Sequence, residues 1–212
     1  MQVERPSQKP LTRNRRCRSE LNHRLVGAVT QAVMSKRANS PSTVQVCLRP
    51  PVAADSARFV ALAQHSSTLH APWTSAPSTP EAFASYLAQM NLPTHRAMLV
   101  CTPDQHDGSE QIAGVFNLSQ IVMGDFRSAY LGYYVFAGFE RRGLMGVGLR
   151  HLLRYAFGTL KLHRLEANIQ PGNEASIALV RSCGFQQEGF SPRYLKINGR
   201  WRDHERWAIV AD

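Results

Sequence analysis

A glycine-rich segment with two adjacent arginines is the part of the chain whose residue types and spacing indicate chemistry most clearly. Residues 140–148 read Glu-Arg-Arg-Gly-Leu-Met-Gly-Val-Gly, between the apolar Tyr133-Tyr134-Val135-Phe136 and a stretch with helical apolar spacing. The first N–H groups of a helix have no intrahelical acceptor and lie at its positive end. Glycines let phosphate oxygens approach them, and Arg141 and Arg142 add compensating charge. The segment predicts a pyrophosphate cradle; the alternative is a loop whose glycines serve only packing.

Two other phosphate-binding motifs do not fit this segment. A dinucleotide fingerprint lies within a strand–helix–strand unit of a parallel sheet, whereas the strand before this loop follows two others in a meander. A Walker loop ends in Gly-Lys-Ser or Gly-Lys-Thr, and this loop does not. The predicted anion site is therefore of another type.

Hydrophobic periodicity predicts an α/β domain around this loop. Strand patterns cover residues 43–48, 97–102, 111–122, 129–136 and 164–169. Helical spacing and capping residues predict helices at residues 55–65, 79–90, 143–160 and 173–183. Asn198-Gly199 between two strand-like stretches is a strong hairpin signal. Turn-rich links between residues 97 and 136 favour antiparallel pairing there.

Charge is concentrated in the N-terminal part of a chain of 212 residues and net charge +10. Residues 1–40 contain nine Lys or Arg and two Glu, so residues 1–42 are interpreted as a basic, flexible extension before a domain at 43–212. It could be a solvated tail or contact RNA or the ribosome weakly. No aromatic residue lies among these charges, which argues against sequence-specific RNA recognition.

The composition favours a cytoplasmic protein without a metal centre. No apolar run approaches the roughly 20 residues of a membrane-spanning helix. The four cysteines (Cys17, Cys47, Cys101 and Cys183) form no C-x-x-C pair and are expected to be reduced and mostly buried. The eight histidines include no pair at metal-ligand spacing. Trp201 and Trp207 are expected in the core.

The strand, loop and helix resemble the acetyl-CoA site of the GNAT superfamily of N-acetyltransferases, in particular its RimJ/RimL branch. The usual loop pattern is Gln/Arg-x-x-Gly-x-Gly/Ala, which Glu140-x-x-Gly143-x-Met145 approaches with Glu140 in place of Gln or Arg. Other segments similar to that branch are His70-Ala71-Pro72-Trp73, Tyr130-Leu131-Gly132-Tyr133, Asn173-Glu174-Ala175-Ser176, Cys183-Gly184-Phe185 and residues 194–204. The resemblance covers about residues 43–210.

The resemblance implies a mixed, mostly antiparallel sheet flanked by helices, with splayed fourth and fifth strands that admit the pantetheine arm. It implies acetyl-CoA as cosubstrate and no metal. The residues expected to bind the cofactor are Tyr134, Val135, Phe136, Arg141, Arg142, Gly143, Leu144, Met145, Gly146 and Asn173.

The resemblance also implies direct transfer, in which a neutral amine attacks the thioester and CoA thiolate leaves. Ser176 is expected to protonate the thiolate, although it could instead serve only the helix start. A carboxylate before Tyr194 often acts as base in related enzymes, but this chain has Arg193 there. Tyr133 and Asp203 remain as base candidates; Asp203, expected opposite Tyr194, could equally make a structural hydrogen bond.

The favoured acceptor is the α-amino group of a protein N-terminus, such as that of a ribosomal protein. An α-amine has a pKa of about 8 and is partly neutral without a strong base. A small-molecule amine is the alternative acceptor, and a non-catalytic ribosome- or RNA-associated factor is a third possibility. Trp73 could line the acceptor site or serve packing. The sequence does not decide whether the protein is a monomer or a dimer.

Overall fold

A computed structural model describes residues 44–71 and 73–211, and every structural statement below concerns these residues. The seven strands are β1 (Cys47–Arg49), β2 (Arg96–Pro103), β3 (Glu110–Val122), β4 (Ser128–Val135), β5 (Arg164–Ile169), β6 (Gln186–Ile197) and β7 (Arg200–Val210). The five α-helices are α1 (Ser56–His65), α2 (Ser67–His70), α3 (Pro80–Met90), α4 (Leu144–Arg154) and α5 (Glu174–Ser182). A 3₁₀ turn (Ala53–Asp55) precedes α1, and a π-helical turn (Tyr155–Thr159) follows α4.

The strands form one sheet in the order β1-β2-β3-β4-β5-β7-β6. Only β4 and β5 run parallel, and all other neighbours are antiparallel. The expected mixed, mostly antiparallel α/β sheet of a GNAT fold is confirmed.

Helices cover both faces of the sheet because its central strands alternate two sets of buried side chains. Met98 and Val100 of β2 belong to a core with Leu149 of α4. Leu99, between them in sequence, faces a second core that includes Phe59 of α1. With apolar layers on both sides, the central strands are fixed in register.

The parallel pair β4–β5 separates early. Its register runs only from Ser128↔Arg164 to Tyr130↔Glu166, whereas β4 stays paired with β3 as far as Val135. Beyond Tyr130, β4 therefore presents one backbone edge to an opening instead of to a strand. The predicted splay between the fourth and fifth strands is confirmed.

Most predicted elements are confirmed, with changes at their ends. Thr79 caps α3 by accepting the Ala82 N–H at 3.2 Å. Asn198 and Gly199 both have positive φ, as a two-residue hairpin turn requires. The helix expected at 143–160 is α-helical only to Arg154, strand β1 is shorter than expected, and α2 was not predicted.

The prediction that Trp201 lies in the core is wrong. Trp207 is buried, but Trp201 is 61% exposed. The reason is that β5 pairs with β7 only between Val210 and Glu205, so the outer part of the β6–β7 hairpin has no further strand beside it. The expected extension at residues 1–42, and Cys17 with it, lie outside the described residues.

The close approach of Gly148 in α4 to the sheet gives a first prediction. A Cβ there would lie 3.0 Å from Phe116 Cε2 and 3.3 Å from Val100 Cγ1. Removing a mid-helix glycine gains about 0.5–1 kcal/mol, but overfilling a packed core costs about 1–3 kcal/mol. We therefore expect Gly148→Ala to lower the free energy of unfolding in urea titration. Gly158→Ala is the control, since nothing lies within 4 Å of its Cβ, and equal effects of the two changes would contradict the packing argument.

A second prediction concerns the extension. Among the described residues, the buried members of both cores begin at Phe59 in sequence, and the first strand begins at Cys47. We expect deletion of residues 1–38 to leave a single cooperative thermal transition, because the described part of the chain already contains two apolar cores and a seven-stranded sheet. Loss of that transition in calorimetry would show that the extension belongs to the folded core.

Candidate active site

A cavity of about 880 Å³ lies at the opening between β4 and β5. The residues that line it come from four places: the end of α2 and the chain after it, β4, the loop before α4 with the start of α4, and α5. Ten of the twelve predicted site residues line it, namely Tyr133, Tyr134, Val135, Arg141, Gly143, Leu144, Met145, Gly146, Asn173 and Ser176. The fold thus brings together residues that are up to 43 positions apart.

The loop before α4 leaves the start of that helix open. Gly143 is the N-cap residue, with φ +74°, and no side chain caps the helix. Arg141 also has positive φ, at 58°. The amides of residues 144–146 have no intrahelical acceptor, so they are available to an anion in the cavity. This geometry fits a polyphosphate group.

The two arginines of the loop differ in position. Arg141 lines the cavity. Arg142 does not line it, but its guanidinium lies 5.3 Å from the centroid of the Phe139 ring, which does. Both arginines are exposed. Arg141 is therefore the better placed of the two for an anion, and the expected contact of Arg142 with the cofactor stays a prediction.

Glu140 shapes the loop at the position where the resemblance led us to expect Gln or Arg. Its carboxylate accepts the Gly138 N–H at 2.6 Å. That bond closes the turn after β4, where Gly138 has φ +89°. Glu140 is thus engaged with the backbone, and the charge available to an anion comes from Arg141 and the helix start.

Side chains of α2 and the residue before it hold the free end of β4. His70 Nε2 donates to the Val135 carbonyl at 2.8 Å, and the Ser66 hydroxyl accepts the Ala137 N–H at 2.9 Å. His70 and Ser66 are buried, at 5% and 0% exposure. Sequence reasoning missed both roles, because a histidine or serine in a short helix carries no signal of which strand it will meet.

Phe136 was expected among the cofactor-binding residues, and the structure places it elsewhere. Its side chain is fully buried in the core beside Phe59, with ring centroids 5.4 Å apart. Its N–H donates to the Ala113 carbonyl at 2.9 Å. The last β4 residue that lines the cavity is therefore Val135.

Asn173, Ser176 and Tyr133 meet at the inner part of the cavity. Asn173 caps α5 by accepting the Ser176 N–H at 3.2 Å. Tyr133 donates its hydroxyl hydrogen to the Ser176 carbonyl at 2.9 Å, which ties β4 to α5 across the opening. Ser176 lines the cavity, and its hydroxyl forms no hydrogen bond with the described residues.

Tyr133 does not suit the role of general base. Burial raises the pKa of its hydroxyl above the ordinary value for tyrosine. Its proton is also committed to the Ser176 carbonyl. At neutral pH the group stays protonated and holds Ser176 in place.

Asp203 has the structural role that was the alternative to a catalytic one. The register predicted from the Asn198-Gly199 turn holds as far as Leu195↔Arg202, but a bulge interrupts the ladder between Leu195 and Ser191, so Tyr194 and Asp203 do not form a regular strand pair. In that bulge Asp203 Oδ1 accepts the Arg193 N–H at 2.7 Å, and Arg193 has φ +49°. A turn motif sets the register near Asn198 but cannot predict such a bulge.

A second cavity, of about 490 Å³, shares the lining residues Thr74, Tyr133 and Tyr134 with the first. It lies between α3 and the middle of β3 and β4, where Tyr86 donates to Asn117 Oδ1 at 2.7 Å. None of its lining residues, all within the described part of the chain, carries a charge at neutral pH. Trp73 lines the first cavity instead and packs 3.5 Å from the position of a Gly172 Cβ.

Other expectations are met in part. Of the cysteines in the described ranges, Cys101 is buried, Cys183 is half-buried and Cys47 is exposed. Across residues 44–71 and 73–211, no helix combines the length and apolarity needed to cross a membrane.

Comparisons with known proteins agree with this geometry. The family model described as acetyltransferase (GNAT) domain matches residues 45–186. The chain is similar to the [ribosomal protein uS5]-alanine N-acetyltransferase of Escherichia coli K12, with 41% identity over 101 residues, which cover 48% of this chain and 52% of that protein. Its matches span only about half the length of the first curated relatives.

Solved structures extend the likeness to most of the chain. RimJ of Mycobacterium smegmatis in complex with CoA-disulfide is 26% identical, with a TM-score of 0.71 over 78% of this chain and 82% of that one. Spermidine N-acetyltransferase of Vibrio cholerae with CoA and spermine is 22% identical, with a TM-score of 0.63 over 78% of this chain and 95% of that one, and so shares the fold. From the family match and the site geometry together, the chain belongs to the GNAT acetyltransferase domain family.

Proposed function

We propose that the chain transfers the acetyl group of acetyl-CoA to the α-amino group of a polypeptide N-terminus. The observation that carries the proposal is that two neighbouring cavities share the lining residues Thr74, Tyr133 and Tyr134. The larger cavity includes the uncapped start of α4, which suits a phosphate group. The smaller cavity would hold the acceptor amine. A reaction between two bound substrates needs such a meeting point.

On the cofactor side, the pyrophosphate would bind at the start of α4. The uncapped amides after Gly143 and the charge of Arg141 supply the attraction. The pantetheine arm would lie along β4 beside Tyr134 and Val135, whose edge faces the opening. The complex of the Mycobacterium smegmatis relative with CoA-disulfide supports this cofactor.

The chemistry proposed is direct transfer. A neutral amine forms a bond to the thioester carbon, and the C–S bond then breaks to release CoA thiolate. The Ser176 hydroxyl would give its proton to the sulfur and regain one from water, while Tyr133 keeps α5 at the right distance from β4. The amine proton passes to water, since an α-amine with a pKa of about 8 needs little assistance.

A polyamine is the main alternative acceptor, because the Vibrio cholerae relative is named for spermidine. Carboxylate partners are what would bind a polycation selectively, since opposite charges within a few ångströms attract. The acceptor cavity described here has none among its lining residues. Its hydroxyl and amide groups, including Ser85, Gln89 and Asn117, suit the peptide groups of a chain terminus.

The β6–β7 hairpin supports an acceptor that belongs to a ribonucleoprotein. Lys196, Arg200 and Arg202 are exposed and form no ion pair with other described residues, and the exposed Trp201 lies between two of them. The turn is attached near the acceptor cavity, where the Ser75 hydroxyl donates to Asn198 Oδ1 at 2.9 Å. Cations and an exposed ring beside an acceptor site suit a substrate surrounded by RNA. A ribosomal protein is such a substrate.

The different positions of the two loop arginines give a test of the cofactor site. Arg141→Glu should weaken CoA binding by about tenfold or more, which corresponds to about 1.4 kcal/mol, because the reversed charge lies in the cavity. Arg142→Glu is the comparison variant and should weaken binding less than Arg141→Glu does, because Arg142 does not line the cavity. Isothermal titration with CoA at two salt concentrations measures both. Unchanged CoA affinity in Arg141→Glu would show that the pyrophosphate binds elsewhere.

A competition between acceptors tests the substrate. We expect thiol release to be fastest with peptides that begin with Ala or Ser, slower with Leu, and slow with an N-blocked lysine peptide or with spermidine. A lysine side chain near pKa 10.4 is mostly protonated and would need a base that the described cavity lining does not offer. Faster turnover of blocked lysine would overturn the α-amine assignment, and turnover of spermidine alone would establish the polyamine alternative. CoA binding without turnover of any amine would favour a non-catalytic role.

A further inference from the structure

Three potential metal ligands meet at the edge of the sheet, away from both cavities. Cys47 of β1 is paired directly with Cys101 of β2. Cys101 is opposite Ile112 of β3, so Glu110, two residues before it, projects to the same face. The two Sγ atoms and a carboxylate oxygen of Glu110 all lie within 4.8 Å of one another.

We propose that Cys47, Cys101 and Glu110 form a zinc-binding site. Zinc takes thiolate sulfur at about 2.3 Å and carboxylate oxygen at about 2.0–2.2 Å in tetrahedral geometry, which places ligand atoms roughly 3.5–4 Å apart. The three atoms need to move by only about 1 Å to reach that spacing. Two thiolates favour a soft cation over magnesium or calcium.

The charges around the site balance when zinc binds. Two thiolates and the carboxylates of Glu110 and Asp55 carry four negative charges, and the ion carries two positive charges. The Arg49 guanidinium, 2.7 Å from both Glu110 Oε1 and Asp55 Oδ1, and Arg58, which donates to the Glu110 carbonyl, supply the other two. Both thiol protons pass to solvent on binding.

Arg49 also orients Glu110 by hydrogen bonds, as groups around metal ligands commonly do. Its Nη2 and Nη1 donate to both oxygens of Asp55 at 2.7 and 2.8 Å. The guanidinium is therefore held in place while it contacts Glu110 through Nε and Nη2. A carboxylate oriented by a second group binds a metal at lower entropic cost.

Access and location indicate a structural role. Cys47 is exposed and the Glu110 side chain is 38% exposed, so an ion can enter from solvent even though Cys101 is buried. None of the three residues lines either cavity. Bound zinc would join β1, which has only three residues, to β2 and β3. The site is independent of acetyl transfer.

The test is zinc titration of the full chain, stripped with chelator and kept reduced, in competition with a chromogenic chelator. We expect one zinc to bind per chain, unaffected by excess magnesium. Cys47→Ser should weaken zinc affinity by about 100-fold or more, because an exposed serine replaces a thiolate without disturbing the core. Cys183→Ser is the matched control and should leave zinc affinity unchanged.

Hydrogen exchange separates this site from adventitious binding elsewhere. Zinc should slow amide exchange in residues 47–49 and 99–101 of the intact protein and leave it unchanged in Cys47→Ser. Glu110→Gln should lower the affinity by about tenfold and keep one equivalent bound. No binding to the intact protein, or equal binding to Cys47→Ser, would overturn the proposal.

Discussion

The separation of β4 from β5 after Tyr130↔Glu166 is the constraint on which the rest of the site depends. Two strands that part inside a sheet leave backbone groups without partners, and a buried unpaired group costs about 1–3 kcal/mol. Here side chains replace the missing strand: His70 donates to the Val135 carbonyl, and Ser66 accepts the Ala137 N–H. The opening is thus a stable part of the fold, and its remaining edge can receive an extended ligand.

Two contacts fix the positions of the elements around the opening. Tyr133 binds the Ser176 carbonyl and fixes the distance from β4 to α5. Gly148 lets α4 approach Phe116 closely, so the start of that helix lies directly at the mouth of the cavity. Gly148 and the amides of the proposed anion site belong to the same helix, α4. A change in packing at Gly148 would therefore also shift those amides.

The sequence predicted those features that depend on neighbouring residues. Thr79 before Pro80, Asn198 before Gly199 and the glycines around Arg141 have local requirements of cap, turn or positive φ, and these are where the structure agrees. Eight of the ten predicted site residues that line the cavity lie on the contiguous strand, loop and helix of residues 133–146, whereas Asn173 and Ser176 reach it from α5.

Features that depend on distant contacts could not be predicted in this way. The direction of Arg142 depends on the Phe139 ring, and the burial of Phe136 depends on α1. A bulge in β6 moves Asp203 from its expected partner, and the absence of a further strand exposes Trp201. Cys47, Cys101 and Glu110 are far apart in sequence and meet only through strand pairing.

The uncharged lining of the smaller cavity has a consequence for the proton of an amine that enters it. This cavity is open to solvent, with Ser85, Gln89 and Gly132 of its lining exposed, so an amine can enter it in either protonation state. No carboxylate of the lining forms an ion pair with the ammonium form, so nothing there opposes the loss of its proton. In the proposed reaction, the amine can therefore give its proton to solvent inside the cavity and stay neutral for attack.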